Sequence, residues 1–193
     1  MIKNFLLVIV FFPIHFFSQL SSEKQKFIQY LSKVDFAESK NIGIGGELSE
    51  VYKSFEDIKG KLDDNDLEFL AKNSSNSLRF YSSIELLKRN NIIIIDIFKY
   101  YKKYPLFFKY QSGCVVSKAN LTDLILNEIS SLIESKEFYE EAFKSLTRQE
   151  SDSNYVKVWI SDYNQLIKIL TPKFYEIFNA MKIIEKENSI IKK

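Results

Sequence analysis

The chain of 193 residues carries 27 lysine and arginine residues against 25 aspartate and glutamate residues, which gives a formal net charge of +2. A charge so close to neutral argues against a dedicated nucleic-acid-binding protein. The single cysteine, Cys114, excludes an internal disulfide, and its apolar neighbours Val115 and Val116 predict a small buried residue.

Residues 1–18 have the layout of a cleavable signal peptide. Lys3 supplies a positive charge, an apolar stretch follows it, and Pro13 separates that stretch from the junction between Ser18 and Gln19. A membrane-spanning helix needs about 20 mostly apolar residues, and this stretch is shorter. We therefore expect cleavage after Ser18, with no transmembrane segment left in the mature chain.

The junction Ser18-Gln19 behind an aromatic-rich segment resembles the signals of exported flavobacterial proteins, whose mature chains often begin with Gln. The resemblance implies a periplasmic or extracellular protein that comprises residues 19–193. The only histidine, His15, would be removed with the signal. Its removal excludes Ser-His-Asp and Cys-His catalysis, histidine metal sites and histidine general bases. We expect neither a metal nor a cofactor.

Helix breakers are few, with five glycines and three prolines in the chain, so long helices joined by short turns are expected. The pattern predicts one all-α domain over residues 19–193, an irregular helical array or bundle that ends in a charged C-terminal tail. It leaves room for one short extended segment over residues 107–116.

The first predicted helix extends from Glu47 to Gly60, and Gly60 suits a left-handed helix end. Its apolar residues keep a spacing of three and four: Leu48, Val51, Tyr52, Phe55 and Ile58. The glycine-rich loop 42–47 before it is interpreted as a flexible connector. A phosphate cradle is the alternative, because backbone amides at a helix start can bind phosphate, although no Lys-Ser or Lys-Thr pair follows directly after the glycines.

Asp63, Asp64 and Asn65 offer side-chain caps to a second helix, which should end within the polar cluster 73–76. A calcium loop is the alternative interpretation, but the segment lacks the glycine and the glutamate of an EF-hand. A third helix is predicted over residues 77–88.

This helix pair resembles a HEAT-type repeat, in which two antiparallel helices are joined by a short turn and the second opens with an apolar residue followed by Arg. The matching residues are Leu78 and Arg79, with Leu86 at the usual apolar place further along. The resemblance covers residues 63–104 at most, and no clear second copy follows at a fixed period.

Asn91 can open a helix that ends before Pro105, and the aromatic and branched residues of 107–116 favour the extended segment. Residues 120–123 form a capping arrangement for a further helix, and an amphipathic segment follows over residues 137–146.

Residues 147–154 are polar and predict a surface loop. The alternating pattern of residues 155–160 fits either a strand or the approach to a helix that Ser161 caps. Thr171 followed by Pro172 is typical of a helix start, and the last helix begins there.

One stretch interleaves lysines with aromatic rings and is the candidate partner-binding surface: Lys99, Tyr100, Lys103 and Tyr104. Such a surface could grip an acidic partner, stack on sugars or lie at a membrane face. The alternative is that the rings belong to the core, while the lysines rest their stems on that core and keep their charges in water.

Pairs of carboxylates remain the one catalytic device that needs no histidine, because two acids alone can hydrolyse a glycosidic bond. Glu47 and Glu50 are predicted to share a helix face, as are Glu137 and either Glu140 or Glu141. Such spacings mostly mark solvated helix faces, and we assign no catalytic residue.

These observations favour a non-enzymatic binding or scaffold protein of the cell envelope or extracellular space. We expect it to engage a protein or a cell-surface polymer through a helical surface, and no nucleic acid. A carboxylate-based glycan hydrolase and an inhibitor- or immunity-type protein are the alternatives.

Overall fold

A computed structural model describes residues 20–146 and 154–191 of the protein. The predicted signal peptide, its cleavage site at Ser18 and Gln19 and all but the last residue of the predicted loop 147–154 lie outside the described residues. Helix accounts for 69% of the residues, which confirms a predominantly helical protein. A four-stranded mixed sheet is also present, so the strict all-α prediction is wrong.

The described part of the chain contains eight α-helices, one 3₁₀ helix and four strands. The α-helices are α1 (Ser22–Ile28), α2 (Glu50–Lys59), α3 (Asp64–Asn73), α4 (Asn76–Lys88), α5 (Ile93–Lys103), α6 (Leu121–Ser145), α7 (Asn154–Ile169) and α8 (Pro172–Ile191). The strands are β1 (Phe36–Ile42), β2 (Glu47–Leu48), β3 (Phe107–Gly113) and β4 (Val115–Asn120), and the 3₁₀ helix is Leu31–Lys33.

The strand order of the sheet is β2-β1-β3-β4. Strands β1 and β3 are parallel, while β2 and β4 each pair antiparallel with the neighbouring strand. The turns of both hairpins therefore lie at the same end of the sheet, where the N–H of Gly43 donates to the carbonyl of Gly113 at 3.0 Å. Both glycines have positive φ angles, of 71° and 53°, which other residues rarely adopt.

Helix α4 lies at the centre of the protein and contacts α2, α3, α5, α6, β1 and the 3₁₀ helix. Most of its 13 residues are buried, which is typical of a helix enclosed on all sides. The Tyr81 hydroxyl donates to the carbonyl of Glu38 at 2.8 Å and accepts from the N–H of the same residue at 3.0 Å. Burial raises the pKa of Tyr81 above its ordinary value, so the hydroxyl keeps the proton that it donates to β1.

The N-terminus of α4 is fastened to the 3₁₀ helix by two serines. Ser75 caps α4 by accepting a hydrogen bond from the N–H of Leu78, and it donates to the carbonyl of Leu31 at 2.6 Å. Ser77, which is fully buried, donates to the same carbonyl at 3.0 Å. The N–H of Leu78 at the helix start and the carbonyl of Leu31 thus both have hydrogen-bond partners within the protein.

The C-terminus of α4 is fastened to α2 and α3 by Arg89. Its guanidinium donates to the carbonyl of Lys59 at 2.9 Å and to that of Leu62 at 3.0 Å, so it caps the end of α2. It also pairs with Asp64 at the start of α3 and with Glu85 one turn earlier in α4. One planar cation therefore joins three helix ends.

Asn90 ends α4 in the left-handed region, with a φ angle of 56°. The N–H groups of Asn90 and Asn91 bond back to the carbonyls of Leu87 and Leu86, which is the Schellman arrangement. The Asn90 side chain also donates to the carbonyl of Ile169 at 2.9 Å, so the same turn holds the end of α7.

Helix α2 begins later than predicted and ends differently. It starts at Glu50 behind the cap Ser49, because Glu47 and Leu48 form strand β2 instead. The predicted left-handed end is wrong, since Gly60 has a right-handed φ angle of −70°. The glycine-rich loop 42–47 is consequently the turn of a β-hairpin and not a connector that leads directly into a helix.

The extended segment predicted over residues 107–116 is confirmed, and it continues into the hairpin of β3 and β4. Cys114 lies at the tip of that hairpin and is exposed, so its predicted burial is wrong. The neighbouring Val115 and Val116 are 67% and 52% exposed. The short apolar run therefore marks a turn and an outer strand, not the core.

The C-terminal half of the described chain is more regular than predicted. Helix α6 includes the segment predicted separately over residues 137–146, and residues 155–160 lie within α7, so the strand alternative for them is wrong. Ser161 is consequently inside a helix and not a cap. Thr171 does cap α8, since its hydroxyl accepts from the N–H of Phe174 at 3.3 Å, and α8 continues to Ile191 through most of the predicted tail.

The acidic cluster at the start of α3 caps the helix, as predicted, and it does so as a capping box formed by Asp63 and Asp66. Asp63 accepts hydrogen bonds from the N–H groups of Asn65 and Asp66, and the Asp66 carboxylate accepts from the N–H of Asp63. Lys24 of α1 forms ion pairs with both carboxylates. These contacts, the hydrogen bond from Lys24 above all, lower the pKa of Asp63 to about 2.

Leu86→Ala should test the role of α4 as the central helix. Leu86 is fully buried, and truncation should lower the free energy of unfolding by about 2 to 5 kcal/mol, because it removes apolar contacts and leaves a cavity. Urea unfolding of Leu86→Ala and of the control Ile92→Ala, whose side chain is 64% exposed, measures the difference. Similar unfolding midpoints for the two variants would contradict a central α4.

Asp63→Asn should make the protein less sensitive to acid. The folded-state pKa of Asp63 is below its ordinary value of 3.8, so its carboxylate stabilises the fold above about pH 4, and that contribution is lost as the pH falls towards 2. Asparagine keeps the capping oxygen and removes the charge. The free energy of unfolding, measured from pH 6 to pH 2, should fall less steeply in the variant. Asp57→Asn, on the exposed side of α2, is the charge-matched control.

Candidate functional site

The four residues predicted as a partner-binding surface lie together on the outer side of α5, and we term them the lysine–tyrosine face: Lys99, Tyr100, Lys103 and Tyr104. Tyr100 and Tyr104 are 50% and 53% exposed. The opposite side of the same helix carries Phe98 and Tyr101, which are buried in the core. Tyr100 and Tyr104 are therefore exposed, as a binding surface requires, whereas Phe98 and Tyr101 belong to the core, as the alternative interpretation expected.

The two exposed tyrosines form a small aromatic platform. Their ring centroids are 5.1 Å apart and the rings are tilted by 52°. The ammonium group of Lys103 lies 5.1 Å from the centroid of the Tyr104 ring, within the range of a cation–π contact. Lys99 and Lys103 both form no ion pair with a carboxylate of the described residues.

Lys102 provides a contrast on the same helix. Its ammonium group pairs with Glu185 of α8 and lies 3.8 Å from the carboxylate of Asp123 in α6, and its side chain is only 13% exposed. The charge of Lys102 is therefore used to hold three helices together. The charges of Lys99 and Lys103 face solvent and are available to an external anion.

The outer face of the sheet continues this combination of rings and cations. Phe108 points inward and contacts Phe80 of α4, so its neighbours in β3 point outward. Phe107, 53% exposed, lies 5.6 Å below the ammonium group of Lys118 on β4. Lys109 lies directly across the β3–β4 ladder from Lys118. The outer face of the sheet therefore carries the same types of residue, aromatic rings and lysines, as the outer side of α5.

A second candidate site, which the sequence did not predict, lies between α6 and α7. The buried residues of α6 all precede Ser130, and the later part of this 25-residue helix contacts α7. Six aromatic side chains form a continuous contact network there: Phe138, Tyr139, Phe143, Tyr155, Trp159 and Tyr163. Aromatic packing and not a deep aliphatic core joins these two helices.

Part of this network lines an open groove of about 470 Å³, which we term the aromatic groove. Trp159 forms its centre, with the rings of Phe138 and Tyr155 at 6.0 and 5.4 Å, each inclined by 70° to the indole. The polar groups of the described lining are Glu141, Ser145, the Tyr155 hydroxyl and the Trp159 indole N–H. Phe138 and Tyr155 are 57% and 48% exposed, so the rings are accessible from solvent.

Two tyrosine–carboxylate hydrogen bonds fix the helices that carry the groove. The Tyr163 hydroxyl donates to Glu140 at 3.0 Å, and the Tyr139 hydroxyl donates to Asp162 at 3.4 Å. The bond from Tyr163, together with the ion pair to Lys136, lowers the pKa of Glu140 below its ordinary value. Glu141 forms no ion pair within the described ranges and belongs to the groove lining.

The sequence indicated the two helix faces that form this groove, but not their contact. Phe138 and Ala142 were part of a predicted amphipathic face, and Tyr155 and Trp159 have the spacing of four residues that places side chains on one helix face. The alternating pattern of residues 155–160 concealed that spacing, because it fits a strand equally well. The groove also requires α6 and α7 to meet, and no local pattern predicts their contact.

A larger cavity, of about 620 Å³, lies between α1 and the turn that joins α3 to α4. Its walls include Ile28, Phe69 and Leu70. Polar side chains of the lining bond to backbone carbonyls beside them, as Ser32 does to Gln29 at 2.9 Å. The cavity therefore combines apolar walls with polar side chains, several of which are already bonded to the backbone.

Of the carboxylate pairs suggested by the sequence, Glu47 and Glu50 do not share a helix face, because Glu47 belongs to β2 and Glu50 to α2. Glu137, Glu140 and Glu141 do lie on one helix, α6, as predicted. Glu140 is engaged by Tyr163 and Lys136, while Glu141 is the one carboxylate among the described residues that line the aromatic groove.

Over residues 20–146 and 154–191, no three or more His, Cys, Asp or Glu side chains are grouped so that they could hold a metal ion. No helix in the same ranges combines the length and the apolar character that a membrane crossing requires. Comparison of the chain with protein-family models gave no match, and comparisons with curated proteins and with solved structures gave none either.

Proposed function

We propose that the protein is a non-enzymatic binding or scaffold protein of the cell envelope or extracellular space, which engages an acidic partner through the lysine–tyrosine face. The observation that supports this proposal is the pair of solvent-facing lysines, Lys99 and Lys103, beside the Tyr100–Tyr104 platform. Neither lysine pairs with a carboxylate of the described residues, whereas Lys102 is paired within the fold. The face thus offers charge and aromatic area to a partner.

A protein is the preferred partner for this face. Tyrosine contributes a large contact area at a low cost in conformational entropy and is enriched at protein interfaces. Lys99 and Lys103 steer an acidic surface towards the platform, and the exposed Phe107 extends the apolar contact onto the sheet. An acidic cell-surface polymer would use the same lysines but gain less from the apolar ring of Phe107.

Export is the second part of the proposal and depends on residues 1–18. The apolar stretch behind Lys3 and the Ser18-Gln19 junction support a cleaved signal.

The helix pair of α3 and α4, which resembles a HEAT unit, supports a scaffold role. In α4, Arg79 is the arginine near the helix start and Leu86 is the apolar residue further along on which this resemblance rests, and Leu86 lies in the core.

The double charge reversal Lys99→Glu/Lys103→Glu should weaken partner binding by about tenfold or more, because like charges then face each other across the interface. A photo-reactive phenylalanine analogue at Tyr100, introduced in cells that make the protein naturally, should form a discrete protein adduct that the double variant lacks. Ile183, 59% exposed on α8, is the control position for the cross-linker, and Lys168→Glu/Lys173→Glu is the charge-matched control.

Three results would contradict binding through this face. They are equal adduct formation from Tyr100 and Ile183, an adduct that persists in Lys99→Glu/Lys103→Glu, and the absence of any protein adduct at Tyr100. A glycan adduct in place of a protein adduct would overturn the preference for a protein partner while retaining the acidic one.

The export proposal predicts that the protein isolated from its native cells begins at Gln19. Amino-terminal sequencing or intact mass measurement distinguishes this product from the full chain. A Ser18→Trp substitution should block processing, because the cleaving enzyme requires a small residue before the cut. An unprocessed chain that retains Met1 would contradict the export proposal but leave the binding proposal for the lysine–tyrosine face unchanged.

A further inference from the structure

We propose that the aromatic groove between α6 and α7 is a binding site for a small organic cation that carries a quaternary ammonium group. This site is separate from the lysine–tyrosine face and has the opposite electrostatic character. It consists of three aromatic rings and one carboxylate: Phe138, Tyr155, Trp159 and Glu141.

The geometry of the rings suits a rounded cation. Phe138 and Tyr155 are each inclined by 70° to Trp159, at centroid distances of 6.0 and 5.4 Å, so the rings form walls at different angles and not one flat stack. The face of each ring carries partial negative charge and attracts a cation within about 6 Å of its centroid. A group with methyl substituents on all sides can contact several such walls at once.

The charges around the groove favour the same ligand. Glu141 belongs to the lining and forms no ion pair with the described residues, whereas the neighbouring Glu140 is paired with Lys136 at 3.3 Å. Among the described residues, the lining contains no lysine or arginine. An anionic ligand would therefore meet a carboxylate without a compensating cation, while a cationic ligand would gain from Glu141 and from the rings together.

The ring walls favour a quaternary ammonium group over a primary one. A primary ammonium group needs acceptors for its three N–H groups when water is removed, and the ring faces supply none, so it would depend on Glu141, Ser145 and the Tyr155 hydroxyl. A quaternary group donates no hydrogen bond, so its desolvation by rings is less costly. The groove volume of about 470 Å³ is within the usual range for small-molecule sites.

Trp159 is the only tryptophan of the chain, so its fluorescence reports on this groove without interference. The experiment titrates the full protein with choline, with its neutral carbon isostere 3,3-dimethylbutan-1-ol, and with ethanolamine. Choline should change the Trp159 emission in a saturable manner. The neutral isostere and ethanolamine should each bind about tenfold more weakly, since the first lacks the charge and the second lacks the methyl groups.

Variants assign the effect to the groove. Glu141→Gln and Phe138→Leu should each weaken choline binding by about fivefold, because they remove the carboxylate and one ring. Both positions are exposed, so the fold should be retained, and equal urea midpoints for variants and wild type verify this. Glu137→Gln, an exposed acid on the same helix but outside the lining, is the matched control and should bind as the wild type does.

The outcomes separate the ligand classes. Equal affinities for choline and its neutral isostere, or no saturable change with choline, would overturn the cation site. Ethanolamine binding as tightly as choline would overturn the quaternary assignment, and unchanged choline affinity in both Glu141→Gln and Phe138→Leu would place the binding elsewhere. None of these results depends on Lys99 or Lys103, so failure here and failure of the acidic-partner proposal can be distinguished.

Discussion

The central position of helix α4, buried on most of its sides, is the constraint on which the rest of the structure depends. A helix of 13 residues that is buried on most sides cannot stand at a surface, so other elements must surround it. Helices α2, α3, α5 and α6 and strand β1 do so, and the sheet meets α4 through the contacts of Phe80 with Phe108 and Tyr110. Because α4 takes the centre, α5 has one buried side and one side that faces solvent. The lysine–tyrosine face is that outer side.

Polar side chains at both ends of α4 complete this arrangement by bonding to neighbouring elements. Ser75 and Ser77 bond the 3₁₀ helix at one end, while Arg89 and Asn90 receive the ends of α2 and α7 at the other. A buried carbonyl or amide without a partner destabilises a fold by about 1 to 3 kcal/mol, so these side chains decide where neighbouring helices stop. The aromatic groove lies far along α6, beyond this core, where ring contacts replace aliphatic burial.

Local signals in the sequence predicted much of the helical structure. Asp63, Asn91, Asn120 and Thr171 each mark a helix start because a capping side chain acts on residues two or three positions away. Strand β1 was missed, since its sequence FAESKNI has no strong alternation and its stability comes from β3, far away in the chain. The prediction that Cys114 is buried was wrong for a related reason, because a short apolar run does not reveal whether its strand is central or at an edge. The candidate residues of α5 could be chosen from one stretch, whereas the aromatic groove required two helices to be placed side by side.

The parallel pairing of β1 with β3 has a consequence for the order in which the chain assembles. Phe36 meets Lys109 only after a segment that contains β2 and four helices has been bridged, whereas α3 and α4 are joined by a two-residue turn. Closing a long flexible loop costs more entropy than closing a short one, and proteins rich in distant pairings fold more slowly. The α3–α4 hairpin is therefore suited to form early and to bring its flanking strands towards each other, so that the sheet closes late. The hairpin tips, with the exposed Cys114, would then be among the last parts of the described chain to reach their native environment.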